Sequence, residues 1–124
     1  MRKPVSTQDA PQAIGPYSQA IKANGFVFVS GQTPMDPSGN VIQGDISVQT
    51  ETALQNIAAI LKAAGSSMAK VVQSRVFLKN MGEFAAMNAV YGRHFQAPYP
   101  ARTTIEAARL PKDVLVEIDV VALE

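Results

Sequence analysis

The sequence predicts a single α+β domain over residues 1–124, built as a two-layer sandwich in which two helices cover one face of a mixed sheet. Three observations predict this class. The chain, at 124 residues, has the length of one domain. Two segments repeat apolar residues at intervals of three and four, as amphipathic helices do. The other regular segments read as strands, giving the order strand, strand, helix, strand, helix, strand, strand.

The first third of the chain predicts an irregular segment, two strands and a loop. Residues 1–16 contain three prolines and one glycine, which favour irregular backbone. Residues 17–23 predict a short strand, and residues 26–30 predict a clearer one because aromatic and β-branched residues dominate there. Residues 31–44 hold three glycines and two prolines, and a loop of this length is typical of a binding site.

The middle of the chain predicts two helices separated by a strand. The first helix is capped by Asp45, covers residues 45–64 and stops at Gly65. A strand over residues 71–79 follows. The second helix begins at Asn80 with a capping-box-like start and ends at the prolines of residues 97–100. Its apolar stripe consists of Phe84, Met87, Tyr91 and Phe95.

Two more strands, residues 102–108 and 114–123, are predicted on either side of a turn. One face of the last strand is wholly apolar and suits the layer beneath the helices. It carries Val114, Val116, Ile118, Val120 and Ala122. The opposite face mixes large apolar residues with two carboxylates, so we expect another subunit to cover much of it. That face carries Leu115, Glu117, Asp119, Val121 and Leu123.

Charge and composition exclude several classes of function. Eleven Lys and Arg against ten Asp and Glu leave a formal charge of +1, which predicts no basic surface for nucleic acid. The chain has no cysteine, and its longest apolar run is five residues, far below the roughly 20 of a membrane helix. No secretory signal opens the sequence. We therefore expect a cytoplasmic protein with no nucleic-acid or membrane partner.

The sequence also lacks the common cofactor and metal motifs. His94 is the only histidine, so a site built from several histidines is excluded. No glycine-rich phosphate-binding motif occurs, and we expect neither a metal nor a cofactor. We interpret His94 as a histidine at a helix end or on the surface. The chemistry left open is acid–base work on a substrate that is already reactive.

Two charged residues in predicted strands are the candidates for that chemistry. Arg102 begins a strand after a constrained proline segment, and its guanidinium can bind a carboxylate through two parallel hydrogen bonds. Glu117 lies in the middle of an otherwise strongly apolar strand. Pattern alone favours the plainer interpretations, a surface or ion-paired arginine and an outward-facing strand glutamate. On pattern alone the function stays open.

Several motifs resemble those of the reactive-intermediate deaminase family, called RidA or YjgF. They span nearly the whole chain in the family's order and spacing, and the closing block is the most specific. They are APQAIGPYSQA at 10–20, VSGQ at 29–32, AAG at 63–65, Phe84 through Asn88 to Tyr91, PARTTIE at 100–106, and RLPKD at 109–113 with Glu117.

The resemblance implies a fold, an assembly and an activity. The fold is the chorismate-mutase-like α+β sandwich, assembled as a homotrimer with three clefts between neighbouring subunits. The activity is hydrolysis of 2-imino acids, such as 2-iminobutanoate and 2-iminopropanoate, and of their enamine tautomers to 2-oxo acids and ammonia. Such intermediates damage other enzymes, so the role implied is metabolite damage control.

The resemblance also implies a role for each matching residue. Arg102 holds the substrate carboxylate, helped by the backbone N–H of Gly31, while Glu117 and the backbone carbonyl of Thr104 position the attacking water. The cleft is lined by Tyr17, Ser30 and Asn88. Several relatives have Ser-Cys where this chain has Thr103 and Thr104. Because the role at Thr104 belongs to its carbonyl, we expect that difference to adjust the shape of the cleft.

Other functions remain open at this point. The same cleft is compatible with a non-catalytic module that binds 2-oxo acids, with RNA cleavage, or with a chaperone-like role. The presence of both Arg102 and Glu117 favours the enzyme, and the charge of +1 disfavours RNA. The deaminase hypothesis requires the guanidinium and the carboxylate, from two strands, to meet across one pocket.

Overall fold

The computed structural model describes all 124 residues and confirms the α+β class. Six strands form one sheet in the order β1-β2-β3-β6-β4-β5, and two helices accompany it. No helix has the length and hydropathy needed to cross a membrane. The strands are β1 Lys3–Val5, β2 Ala20–Ala23, β3 Phe26–Gln32, β4 Val71–Leu78, β5 Ala101–Glu106 and β6 Val116–Leu123. The helices are α1 Ile46–Ala63 and α2 Phe84–Tyr91.

The sheet is mixed, as predicted. β4 and β5 are parallel, and every other neighbouring pair is antiparallel. α2 lies in the connection between the two parallel strands, which need a long crossover. β1 and β5 form the two edges of the sheet, so each pairs with one neighbour only.

The chain start differs from its prediction. Residues 3–5, assigned to an irregular lead-in, form β1 and pair antiparallel with β2. Pro4 is tolerated there because an edge strand need not donate on its outer side. β2 in turn begins at Ala20, and residues 17–19 precede it.

The helix boundaries are partly as predicted. Asp45 caps α1 by accepting a hydrogen bond from the backbone N–H of Val48 at 3.0 Å. The second helix is shorter than predicted: a 3-10 turn over Met81–Glu83 precedes it, and Asn80 caps that turn through Gly82. The predicted capping box is wrong, because Glu83 makes no side-chain capping hydrogen bond.

The alternation of β6 is confirmed. Its apolar face lies at 0–2% exposure in the core between sheet and helices, at Val116, Ile118, Val120 and Ala122. Its other face is half-buried or exposed and lies on the side of the sheet that no helix covers. Large apolar side chains are exposed on that open face, Phe28 at 46%, Ile105 at 44% and Leu123 at 45%.

Candidate active site

The open face of the sheet carries a cavity of about 800 Å³ beside β3 and β6. Its lining includes four of the predicted site residues, and they come from three separate parts of the chain. They are Tyr17, Ser30, Gly31 and Glu117, which we call the Glu117 half-site.

A close approach between β3 and β6 positions the Glu117 carboxylate. The pairing of these strands shifts register between Val29 and Gln32, so Ser30 and Gly31 form a bulge. A Cβ built on Gly31 would lie 2.0 Å from Glu117 Oε2, well inside any real contact. Only glycine therefore leaves room for the carboxylate in this position.

The Glu117 carboxylate has an unusual environment for an acid. The side chain is half-buried, and it makes no hydrogen bond or ion pair within the chain. Burial raises the pKa of Glu117 above 4.5, and the negative charge of Asp119 raises it further. A carboxylate with a raised pKa is a stronger base when ionised, which suits a group that takes a proton from water.

The rest of the Glu117 half-site is held by local hydrogen bonds. Ser30 donates its hydroxyl to the carbonyl of Ser18 at 2.5 Å, and its backbone N–H donates to the carbonyl of Gln19 at 2.9 Å. These bonds tie the bulge to the segment that precedes β2. Tyr17, on that segment, is 51% exposed at the cavity and accepts a long hydrogen bond from the N–H of Ile14.

A second group of predicted residues lies around Arg102, between β5 and α2. The Arg102 Nη1 donates to Asn88 Oδ1 at 2.7 Å. The guanidinium carbon lies 4.6 Å from the ring centroid of Tyr91 and 5.4 Å from that of Phe84. No carboxylate pairs with it. A cavity of about 420 Å³ opens beside Arg102, Asn88 and Tyr91.

The backbone of β5 places the carbonyl of Thr104 at the free edge of the sheet. Ala107 donates its N–H to Leu78 of β4, and backbone groups of successive strand residues point alternately to the two sides. Residues 101, 103 and 105 therefore bond toward β4, while the backbone groups of Arg102 and Thr104 point outward. We call Asn88, Arg102 and Thr104 the Arg102 half-site.

The two threonines differ in their surroundings. Thr103 is exposed on the open face. The Oγ1 of Thr104 is buried and has no hydrogen-bond partner. The Thr104 hydroxyl therefore takes part in no hydrogen bond within the chain.

One chain does not bring the two half-sites together. Arg102 pairs in register with Ser74, and Ser74 with Val120, both buried beneath the helices. Cross-strand partners share a face, so Arg102 lies on the helix side and Glu117 on the open side. The expectation that guanidinium and carboxylate meet across one pocket is thus wrong for a single chain, because the sheet separates them.

His94, interpreted as a histidine at a helix end or on the surface, is half-buried and lies three residues beyond the end of α2. Its Nε2 lies 2.8 Å from Glu51 Oε1 of α1 and joins the end of the second helix to the first. This contact lowers the pKa of Glu51. No cluster of three or more His, Asp or Glu side chains forms a metal site.

Sequence reasoning missed an ion pair in the larger cavity. Arg75 of β4 makes two hydrogen bonds to Asp119 of β6, and both residues line the cavity beside Glu117. The signal available was the alternation of β4, which places Arg75 on the same face as Phe77 and opposite the buried Ser74 and Val76. That alternation assigns Arg75 to the open face.

The sequence matches a known protein family over most of its length. The family model described as endoribonuclease L-PSP, that of the YjgF/RidA proteins, matches residues 7–124. The chain belongs to the RidA/YjgF family.

Individual RidA-family proteins match over nearly their whole length. A RutC family protein of Pyrococcus horikoshii is 51% identical, with 98% of each chain covered. A Salmonella typhimurium protein named 2-iminobutanoate/2-iminopropanoate deaminase is 42% identical over 99% of this chain and 98% of its own. A solved Rid-family structure from Yersinia pestis superposes with a TM-score of 0.97 at 41% identity and full coverage of both chains. The RidA fold expected from the sequence is thereby confirmed.

Proposed function

We propose that this RidA-family protein hydrolyses 2-imino acids and their enamine tautomers to 2-oxo acids and ammonia. The reaction takes place in a cleft between two subunits of a homotrimer. One subunit contributes the Arg102 half-site, and its neighbour contributes the Glu117 half-site. The activity is thus a property of the assembly and not of one chain.

The observation that carries this proposal is that each half-site holds one charged group with no oppositely charged partner, and that the two groups have opposite charges. Arg102 is a cation with only neutral partners, Asn88 and two aromatic rings. Glu117 is a half-buried carboxylic acid with no hydrogen-bond donor. A substrate with an anionic carboxylate at one end and an electrophilic carbon beside it uses both groups at once.

Two surfaces support the assembly. The open face exposes apolar side chains around the Glu117 cavity, and apolar area of this kind marks an interface. The β5 edge leaves outward-pointing backbone groups unpaired, which natural proteins usually cover. The residues of the two half-sites lie at these two surfaces, so one packing of subunits covers both and closes the cleft.

The reaction requires orientation and one base. Arg102 binds the substrate carboxylate through two hydrogen bonds, and the Gly31 N–H assists. The Glu117 carboxylate accepts a proton from water as the water oxygen bonds to the iminium carbon, while the Thr104 carbonyl orients that water. Glu117 returns this proton to the nitrogen of the tetrahedral intermediate. The hydroxyl of the intermediate then gives its proton to Glu117 as the C–N bond breaks, so that the carbonyl forms and ammonia leaves. The iminium ion and water thus give the 2-oxo acid, ammonia and one proton, which Glu117 passes to solvent.

A direct assay tests the proposal. A pyridoxal-phosphate dehydratase generates 2-iminobutanoate in situ, semicarbazide traps what remains, and the protein is expected to divert the intermediate to the 2-oxo acid. Arg102→Lys should keep the fold and assembly but lose at least about 100-fold in rate, because one point charge replaces a two-point clamp. Glu117→Gln should lose activity to a similar extent, because an amide cannot accept the proton.

The controls separate catalysis from folding. Circular dichroism and light scattering establish that each variant retains its fold and mass. No diversion of any imino acid by the wild-type protein, together with saturable binding of 2-oxobutanoate, would replace the enzyme by a binding module. Diversion by Arg102→Lys at the wild-type rate would discard the guanidinium clamp.

RNA cleavage is a second candidate because the matching family model is described as an endoribonuclease. The charge of +1 disfavours it, since a protein without a basic surface gains little from phosphate neutralisation. The discriminating measurement is RNA binding against salt concentration. Affinity that falls steeply with salt would favour RNA cleavage, and affinity that stays negligible at low salt rejects it.

A further inference from the structure

An ion pair joins β4 to β6 next to Glu117. Arg75 Nε lies 3.0 Å from Asp119 Oδ1, and Arg75 Nη2 lies 2.7 Å from Asp119 Oδ2. The two residues are cross-strand partners, and the Arg75 guanidinium carbon lies 5.7 Å from the centroid of the Phe77 ring. Stacking and a two-point contact hold the pair in one geometry, which isolated surface ion pairs rarely have.

The pair shares a cavity with the carboxylate that the proposed mechanism uses. Asp119 is two residues from Glu117 on β6, so both side chains point to the open face. Phe77, on which Arg75 stacks, is the cross-strand partner of Glu117. Arg75, Glu117 and Asp119 all line the larger cavity. Glu117 has no hydrogen-bond partner, so burial and nearby charges together determine how readily it ionises.

Within one chain the charged and titratable groups that face this cavity are few, and in the proposed assembly the Arg102 guanidinium of the neighbouring subunit faces it too. β6 contributes Asp119, β4 contributes Arg75, the turn before β6 contributes Lys112, and the segment before β2 contributes Tyr17. β3 contributes only uncharged residues. Lys112 donates to the carbonyl of Gly39 at 3.1 Å and forms no ion pair with a carboxylate. Asp119 is therefore the one acid beside Glu117, and Arg75 is its counter-ion.

We propose that Arg75 and Asp119 together set the pH range in which Glu117 is ionised, with Arg75 acting as a positioning residue through Asp119. This inference rests on the proposed function only for its effect on catalysis. The Asp119 carboxylate alone opposes a negative charge on Glu117, and the Arg75 guanidinium offsets part of that opposition. Consistent with this, the Asp119 charge adds to burial in raising the pKa of Glu117.

The two members of the pair have opposite effects when removed. Arg75→Met leaves the Asp119 charge without its counter-ion and raises the titration midpoint of the Glu117 carboxyl. Asp119→Asn removes the opposing charge, leaves a free cation nearby, and lowers that midpoint. If the pair were merely structural, both variants would shift the titration midpoint of Glu117 in the same direction.

The test follows the Glu117 side-chain carboxyl carbon by NMR titration in the wild-type protein and the two variants. Lys79→Met is the matched control, because it removes the Lys79–Asp113 ion pair of 3.0 Å, which lies outside the cavity. Opposite shifts in the two variants and none in the control support the proposal. Equal midpoints, or shifts in the same direction, overturn it.

The pH dependence of imine hydrolysis gives a second readout. The pH at which the rate rises to half its maximum is expected to move in the same direction as the titration midpoint of Glu117 in each variant. Opposite NMR shifts in a protein that hydrolyses no imino acid would reject the proposed function and leave the charge-setting role intact. Unchanged NMR midpoints in an active enzyme would reject the charge-setting role alone.

Discussion

The Glu117 half-site and the Arg102 half-site differ in the surroundings that each gives to its charged side chain. Glu117 lies half-buried on the open face, against a glycine that makes room for it, with no donor in reach. Arg102 lies on the helix side of an edge strand, held by the Asn88 amide and two aromatic rings. One region raises the energy of a negative charge, and the other holds a positive charge without neutralising it.

The difference shows why neither region is a complete site. A binding site for an anion needs the cation of one region, and activation of water needs the carboxylate of the other. Within a chain the sheet separates the guanidinium from the carboxylate. The two groups therefore cannot form a salt bridge with each other, which would leave neither free to act on a substrate. On the proposed function, assembly brings them together with room for a substrate between.

The largest effect is expected from a change that separates the half-sites without substituting a residue of either. Ile105→Lys places a charge on the apolar open face, where Ile105 is 44% exposed. If neighbouring subunits cover this face, the variant becomes monomeric and activity falls to background, since a buried unpaired ammonium is costly. Sedimentation velocity measures the mass, and the imine assay measures the activity.

Val48→Lys is the matched control for that variant. Val48 is 43% exposed but lies on α1, in the helix layer. The control should retain both assembly and activity. An Ile105→Lys protein that keeps the wild-type mass and rate would show that the open face is not an interface.

A smaller but still large effect is expected from changing the Glu117 half-site alone. Gly31→Ala places a methyl group where the Glu117 carboxylate lies, so the carboxylate must move and activity should fall at least about 100-fold. Thermal unfolding should also occur at a lower temperature. Gly31→Ala combined with Glu117→Ala removes the clash and should regain stability, while remaining inactive. Destabilisation that persists in the double variant would point to the backbone of the bulge instead.

The smallest effect is expected from the Arg102 half-site at Thr104. Thr104→Val removes a buried hydroxyl that makes no hydrogen bond, so neither stability nor the backbone carbonyl should change much. We expect activity within about threefold of wild type. A loss of about tenfold or more at unchanged stability would assign the hydroxyl a direct part in the reaction.

The sequence was sufficient for the strongly periodic elements of the fold. The alternation of β6 identified both of its faces, since a two-residue period leaves a single assignment. Asp45 and Gly65 marked the ends of α1 through local backbone chemistry. β1 escaped prediction because three residues containing a proline carry no periodic signal, and their pairing with β2 is tertiary. Phe95 was assigned to the apolar stripe of the second helix but lies beyond the end of α2. It is buried all the same, because burial does not require a helical backbone.

Motif resemblance proposed the residues of the candidate site but did not give their geometry. Motif resemblance selected Arg102 and Glu117, and their alternation along each strand was readable. Which face of β5 matches which face of β6 depends on their common register with β4, and that register is set by tertiary packing. The Arg75–Asp119 pair was missed for the same reason, since it joins residues 44 positions apart.

Mixing two inactive variants tests most directly whether each site is shared between subunits. Arg102→Lys and Glu117→Gln chains are refolded together in equal amounts, and the presence of mixed assemblies is established by native mass spectrometry. Each shared site draws a competent Arg102 half of the time and a competent neighbouring Glu117 half of the time, so about a quarter of wild-type activity should return. Mixed assemblies no more active than the two variants apart would contradict a site built from two chains.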